Sequence, residues 1–143
     1  MSDKTIDQII ELSTSTSPQD RALAMKFIGK YRHLGMISYC FVAIKDAHKE
    51  VREFAAWALD RLGSPDAVPA LLFAMYDPMF GVRSNAGWAL VNIARRTLPQ
   101  VVVPDVIDVL ESENEDAQQM AYLVLHHIGG TEAQAAIRRY WRR

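Results

Sequence analysis

The stretch "VREFAAWALDRLG", residues 51–63, recurs in modified form as "VRSNAGWALVNIA", residues 82–94. A third copy, "AQQMAYLVLHHIG", occupies residues 117–129, and a fainter one, "SPQDRALAMKFIG", ends at Gly29. Small or apolar residues recur at the first, fifth, ninth and twelfth positions of each clear copy, in the first of them at Val51, Ala55, Leu59 and Leu62. This spacing places them on one stripe of an α-helix. The chain is therefore predicted to consist of repeated helical units.

A second, less regular helix is predicted ahead of each copy. The segments "SPDAVPALLFAMYD" and "VVVPDVIDVLES" carry Pro69 and Pro104 at equivalent places, and a proline in the first helical turn costs no hydrogen bond. Because one helix pair cannot cover its own apolar stripe, successive pairs must stack. We expect one domain over residues 1–143, an all-α, right-handed superhelical solenoid closed by a capping helix at 131–142. Its four helix pairs are predicted at about 5–29, 36–63, 67–94 and 102–129.

These units resemble HEAT repeats, specifically the short variety first associated with phycobilin lyases. In that family the second helix of a unit begins with Val-Arg, continues with paired alanines and Ala-Leu, and ends with Leu-Gly. The copy at 51–63 carries the whole pattern, at Val51, Arg52, Ala55, Ala56, Ala58, Leu59, Leu62 and Gly63. The resemblance implies a solenoid whose second helices line its concave side. It implies no single function, because the same architecture serves many unrelated tasks.

Composition narrows the classes of partner. Among 143 residues, 16 Lys and Arg nearly balance 17 Asp and Glu, so no overall positive charge favours nucleic acid or an anionic membrane. Cys40 lies in the apolar stretch "ISYCFVAI", which predicts a buried, unreactive thiol and fits a reducing cytoplasm. The first residues do not resemble a signal peptide, and no apolar run suggests a membrane span. We therefore expect a cytoplasmic protein with no nucleic acid or membrane partner.

An acidic and a basic residue recur together in two successive units. In each, an aspartate in the turn lies six residues before the arginine of the Val-Arg pair, giving Asp46 with Arg52 and Asp77 with Arg83. A charge-assisted hydrogen bond there would tie the turn to its helix or one repeat to the next. The last unit has Ser112 and Gln118 at these places, so acid and base are lost together. This favours a structural ladder over a row of anion-binding arginines.

A large apolar residue recurs on the side of each second helix opposite the buried stripe. Helical geometry puts Trp57 and Trp88 there, with Leu123 at the same place in the last unit and, by a weaker alignment, Leu23 in the first. Two interpretations stay open. The rings either form the exposed spine of a concave groove, where they would anchor a partner, or fill gaps between adjacent helices. Polar residues predicted to orient a partner in the groove are Glu53, Asp60, Arg61, Asn92, Arg95 and His127.

No catalytic grouping is recognisable in the sequence. Ser-His-acid sets, glycine-rich phosphate loops and Cys-x-x-Cys are missing. Adjacent His126 and His127 diverge by about 100° on a helix and do not form a chelating pair. The sequence therefore predicts no catalytic residue, no metal and no cofactor.

The predicted function is a non-catalytic scaffold that binds a protein or peptide in its concave groove. The segment "MISYCFVAIKD" is apolar on nearly every side, which leaves room for contact with a partner or a second copy of the chain. The alternative implied by the resemblance is a bilin-binding or lyase-type protein. A flat tetrapyrrole would then lie between Trp57 and Trp88, with Arg61 or Arg95 meeting a propionate.

Overall fold

The computed structural model describes residues 5–141, and within them the regular structure is entirely helical. Short 3-10 turns precede the third, fifth and seventh α-helices. The predicted all-α solenoid of four helix pairs and a final helix is confirmed, although residue 142 of the predicted capping helix lies outside the described range. The helices are α1 (Ile6–Ser13), α2 (Pro18–Tyr31), α3 (Ile37–Ala43), α4 (Lys49–Leu62), α5 (Val68–Ala74), α6 (Phe80–Arg96), α7 (Val103–Leu110), α8 (Glu115–Ile128) and α9 (Thr131–Trp141).

The even-numbered helices α2, α4, α6 and α8 pack side by side and form the inner layer, while α1, α3, α5 and α7 form the outer layer. The predicted apolar stripe faces the interior, since Val51, Ala55 and Leu59 and their equivalents on α6 and α8 are fully buried. Small alanines at every turn allow neighbouring helices to approach closely. Within residues 5–141 no helix is both long and apolar enough to cross a lipid bilayer.

Cys40 lies in α3 with no exposed surface, between the two layers. Burial raises the pKa of its thiol to about 12, because the charged thiolate loses its hydration in an apolar setting. The thiol therefore stays protonated at neutral pH.

The arginine contacts set the repeat register. Arg21 donates a hydrogen bond to the backbone carbonyl of Ser15, six residues earlier, just as Arg52 does to that of Asp46. The sequence separation between the first and second units is therefore the same as that between the second and third. In this register Gly29 is equivalent to Asp60. The alignment of Gly29 with Gly63, at the end of the copy at 51–63, is wrong by three positions. As a result α2 runs on to Tyr31, two residues past the predicted limit of the first pair.

The same guanidinium groups reach into the next repeat. Arg52 Nε donates to Asp77 Oδ2 at 2.7 Å and Nη2 donates to Oδ1 at 3.3 Å, while Nη1 holds the carbonyl of Asp46 at 2.8 Å. Arg21 and Asp46 repeat the arrangement one unit earlier, at 2.8 and 3.2 Å. Each arginine thus binds the turn of its own repeat and the aspartate of the following one. The sequence left open whether the bond between arginine and aspartate joins a turn to its own helix or one repeat to the next. The aspartate side chains form the bond between repeats.

Asp46 shows how the ladder affects a carboxyl group. Burial by itself raises the pKa of Asp46, but the hydrogen bond from Arg21, the backbone N–H of His48 and the charges of both side chains outweigh burial and lower it. The folded pKa lies below the unfolded one, which is about 4. The stability that the ionised Asp46 side chain contributes to the folded protein is therefore present above the unfolded pKa and is lost as the pH falls through the folded pKa.

The ladder ends at α6. Arg83 is buried and donates to the carbonyl oxygens of Asp77 and Pro78, but its nearest carboxylate, that of Asp116, is 3.7 Å away. The position that would supply the next aspartate is Ser112, whose hydroxyl is buried without a hydrogen-bond partner among the described residues. Helix α6 has 17 residues where α4 has 14, which accounts for most of the longer spacing to the last unit.

We expect Arg52→Gln to lower the free energy of unfolding by about 3 kcal/mol, because it leaves the largely buried carboxylate of Asp77 without its bidentate partner. Chemical denaturation measures the change. Lys49→Gln is the control, since it removes an exposed cation of the same helix that has no ion pair among the described residues. An effect no larger than that of the control would show that the ladder does not hold the repeats together.

Ser112→Asp should complete the ladder by placing a carboxylate opposite Arg83. We expect a gain of about 1 kcal/mol and a rise in Tm of about 3 °C, measured by thermal denaturation at neutral pH. Ser112→Asn has nearly the same shape without the charge and serves as its control. A gain of equal size from asparagine would mean that shape, rather than charge pairing, is responsible.

Candidate binding groove

Three exposed apolar side chains lie around one groove on the inner layer. Trp88 on α6 and Leu123 on α8 occupy equivalent positions and are 47% and 44% exposed, and Phe80 at the start of α6 is 64% exposed. They surround a cavity of about 130 Å³ between the two helices. Met120 and Val124 also line this cavity and are themselves buried. The groove thus has an apolar floor and an apolar rim.

Gly87 lets side chains of α8 pack directly on the backbone of α6. A Cβ atom added to Gly87 would lie 2.7 Å from Met120 Sδ and 3.2 Å from a methyl carbon of Val124. These side chains therefore pack directly on the α6 backbone. The equivalent residue of α4 is Ala56, whose methyl group occupies this place one repeat earlier. The departure from the paired alanines of the repeat pattern is what forms the floor of the groove.

Trp57 is placed differently from Trp88. Its ring packs on Gly29 of α2, where an added Cβ would come within 2.5 Å of Trp57 Cζ3. Phe54 meets the indole edge-on at 6.4 Å between centroids, and the Arg61 guanidinium lies 5.9 Å above it. Trp57 is consequently half-buried and fills the gap between α2 and α4. Of the two interpretations, Trp57 follows the one in which the ring fills a gap, and it does not project into an open groove beside Trp88.

Trp88 cannot fill the corresponding gap in the next repeat. The residue equivalent to Gly29 there is Asp60, whose carboxylate accepts a hydrogen bond from Asn92 Nδ2 at 2.9 Å. The Asp60 side chain therefore occupies the place where, one repeat earlier, the indole of Trp57 packs on Gly29. The Trp88 ring instead lies against the His127 imidazole, 4.7 Å between centroids, and stays half exposed. Trp57 therefore fills a gap between helices, and Trp88 is the more exposed of the two rings.

The six polar residues predicted to orient a partner divide into three that join neighbouring helices and three that do not. Asp60 and Asn92 bind each other and join α4 to α6, so they are not free to meet a partner. Arg95 Nη2 donates to the backbone carbonyl of His127 at 3.2 Å and ties α6 to α8, with the rest of its side chain exposed. The remaining three also lie on the inner layer, with Glu53 exposed on α4, Arg61 over the Trp57 ring and His127 against Trp88.

Two residues of this surface are not indicated by the repeat pattern of the sequence. Phe80 was missed because its position in the other repeats is not aromatic, so the repeat pattern carries no signal for it. Lys26 is the true equivalent of Trp57 in the first unit, in place of Leu23, and its ammonium group lies 4.5 Å above the Phe54 ring. The six-residue spacing between Ser15 and Arg21 was the signal that could have corrected that alignment.

The histidines of α8 take part in aromatic contacts. His126 stacks against Tyr122 at 6.1 Å, while His127 contacts Trp88. Within residues 5–141 no three His, Cys, Asp or Glu side chains are grouped so that they could hold a metal ion.

Comparison with known proteins supports the architecture. A family model described as HEAT repeats matches residues 6–91. The fold is similar to an engineered protein (TM-score 0.69, 18% identity, 96% of this chain and 70% of that one). It is also similar to the complex of CpcE and CpcF of phycocyanin lyase from Nostoc sp. PCC7120 (0.70, 21%, 99% and 65%). A third similar structure is a designed armadillo repeat protein in complex with the peptide (KR)4 (0.62, 19%, 94% and 69%). No curated protein matches the chain in sequence.

The difference between the two tryptophans predicts distinct fluorescence. In a Trp141→Phe background, which removes the third indole, Trp88→Phe leaves Trp57, and we expect blue-shifted emission that acrylamide quenches weakly. Trp57→Phe leaves Trp88, and its emission should be red-shifted and readily quenched, because half of its surface meets water. Stern–Volmer constants measure the accessibility. Equal constants for the two proteins would contradict the assignment of Trp88 as the open ring.

Proposed function

The chain belongs to the HEAT repeat family, and from this we propose that it is a non-catalytic scaffold that binds a protein or peptide segment in the groove between α6 and α8. The observation that carries the proposal is the cluster of exposed Phe80, Trp88 and Leu123 around a preformed apolar floor. Large apolar side chains grouped on a surface favour association. Aromatic anchors of this kind dominate the energetics of many interfaces.

The size of the cavity favours a side chain over a whole small molecule. Enclosed sites for drug-sized ligands measure roughly 300–1,000 Å³, whereas the cavity beside Trp88 measures about 130 Å³. A partner would therefore insert one apolar side chain between Trp88 and Leu123, and the rest of the segment would lie over the rim. The designed armadillo repeat protein in complex with the peptide (KR)4 shows that a similar fold can take a peptide.

Charged and polar side chains of the inner layer, outside the apolar rim of the groove, would set the direction of the partner. Glu53 is near the start of α4, whereas Arg61, Arg95 and His127 lie near the ends of their helices. Among residues 5–141 neither Glu53 nor Arg61 nor Arg95 has an ion pair. A segment lying along the groove would place basic residues toward the helix starts and acidic ones toward the helix ends.

A bilin-binding or lyase-type function is the second candidate, supported by the similarity to the phycocyanin lyase complex. The contacts of the tryptophans argue against its simplest form. Trp57 is packed against α2 and Trp88 lies beside α8, so the two rings do not face each other across one cavity. A tetrapyrrole would have to stack on Trp88 alone. Titration with biliverdin, followed by visible absorption and tryptophan quenching, tests this candidate separately from peptide binding.

A random peptide library displayed on phage and selected against the protein tests the main proposal. We expect enriched sequences with one large apolar residue, and we expect Trp88→Ala to weaken a selected synthetic peptide about 30-fold, which corresponds to about 2 kcal/mol. Fluorescence anisotropy measures the affinity. Leu98→Ala is the matched control, because Leu98 is exposed but lies outside the groove. Absence of enrichment, or equal affinity of the Trp88 variant, would refute the groove as the binding site.

A further inference from the structure

The outer layer carries a second apolar surface. Val42 of α3 and Phe73 of α5 occupy equivalent positions in successive repeats and are 75% and 53% exposed, and Tyr76 beyond the end of α5 is also exposed. We call these three side chains the outer patch. The corresponding residues of the flanking outer helices are Glu11 in α1 and Asp108 in α7, both exposed. The patch is therefore confined to the two central repeats and bordered by acidic residues.

A cleft of about 270 Å³ separates α3 from α5 beside the outer patch. Its apolar lining includes Phe41, Ile44 and Ala70, together with Phe73 itself. The inner helices of the same repeats pack tightly through alanines, whereas α3 and α5 make few contacts with each other. The exposed side chains of the outer patch therefore lie next to an apolar cleft. Within residues 5–141 no other segment of the chain covers the outer patch or the cleft.

The cleft also has one unpaired charge of each sign. Lys45 and Asp66 both line it, and neither has an ion pair among the described residues. The Lys45 ammonium lies 5.0 Å above the Phe73 ring. Nearby Asp46 and Asp77 are already paired with Arg21 and Arg52 in the ladder.

We propose that the outer patch is the interface of a two-fold symmetric homodimer. Such an interface must be complementary to itself, because the same surface is used by both copies. A two-fold axis that bisects the line from Lys45 to Asp66 sets each of them against the opposite charge of the second copy. Phe73 of each copy then covers the cleft of the other. A cleft lined by one unpaired cation and one unpaired anion beside the apolar patch fits this arrangement, whereas an anionic membrane would need an excess of cations.

The proposed dimer is independent of the binding groove. The outer patch belongs to α3 and α5, and the groove lies between α6 and α8 on the inner layer. Stable interfaces bury about 1,600 Å² in total, more than three exposed side chains and their close surroundings supply, so the dimer is weak and depends on concentration. Its failure would leave the proposed function intact, and failure of peptide binding would leave the dimer intact.

Sedimentation velocity from micromolar to millimolar protein tests the inference. We expect a reversible monomer–dimer equilibrium, and we expect Phe73→Glu to weaken it at least tenfold. Leu98→Glu introduces the same charge at an exposed apolar residue away from the patch and should leave the dimer unchanged. Circular dichroism and Tm verify that both variants are folded. A protein that stays monomeric throughout, or a dimer that is insensitive to Phe73→Glu, overturns the proposal.

Two charge reversals distinguish this symmetric contact from any other. Lys45→Asp alone and Asp66→Lys alone each bring like charges together across the axis, so each variant should be monomeric at concentrations where the wild type dimerises. An equimolar mixture of the two variants restores both pairings, and we expect it to form a heterodimer. A mixture that remains monomeric overturns the pairing of Lys45 with Asp66.

Discussion

The contact on which the structure depends most is the bidentate bond from the arginine of one repeat to the aspartate of the next. Through it, Arg21 and Arg52 each hold the carbonyl of their own turn and the carboxylate of the following turn. The geometry of a planar guanidinium accepts one relative position of the two turns. The ladder therefore fixes how far one helix pair is displaced from the next, while the alanine stripe determines how closely they pack.

The candidate groove lies where this ladder ends. Between α6 and α8 the aspartate is replaced by Ser112, and α6 is longer than α4 by three residues. The two helices are held instead by Met120 and Val124 packed on Gly87, and by the bond from Arg95 to the carbonyl of His127. Side chains of α8 that pack on the bare backbone of Gly87 form the floor, and larger side chains lie around the edge. A change in the way the repeats are joined thus creates a preformed apolar groove.

The two layers give the molecule two separate surfaces for association. The inner layer offers one shallow cavity with Trp88 and Leu123 at its rim. The outer layer offers Val42 and Phe73 beside an open cleft. In the proposed dimer the outer layers meet, so both grooves face away from the interface and remain accessible. Binding of a partner and self-association are therefore compatible, and the dimer would present two equal sites.

The sequence by itself determined the helical repeat, because an apolar stripe of helical period with alanine at its centre can be buried only against another helix. It also predicted one set of contacts for Asp46, Arg52, Asp77 and Arg83, since charges that recur and disappear together serve one purpose. It missed Arg21, the partner of Asp46, and Arg83 has no bidentate aspartate. Only the tertiary structure decided which tryptophan is open. Trp57 and Trp88 occupy the same place in the repeat, and their exposure depends on Gly29 and Asp60, residues of the preceding repeat that differ in the surface they offer to a ring. The periodicity of the sequence indicates which side of a helix a residue faces. It does not indicate which residue of the neighbouring repeat lies against that side.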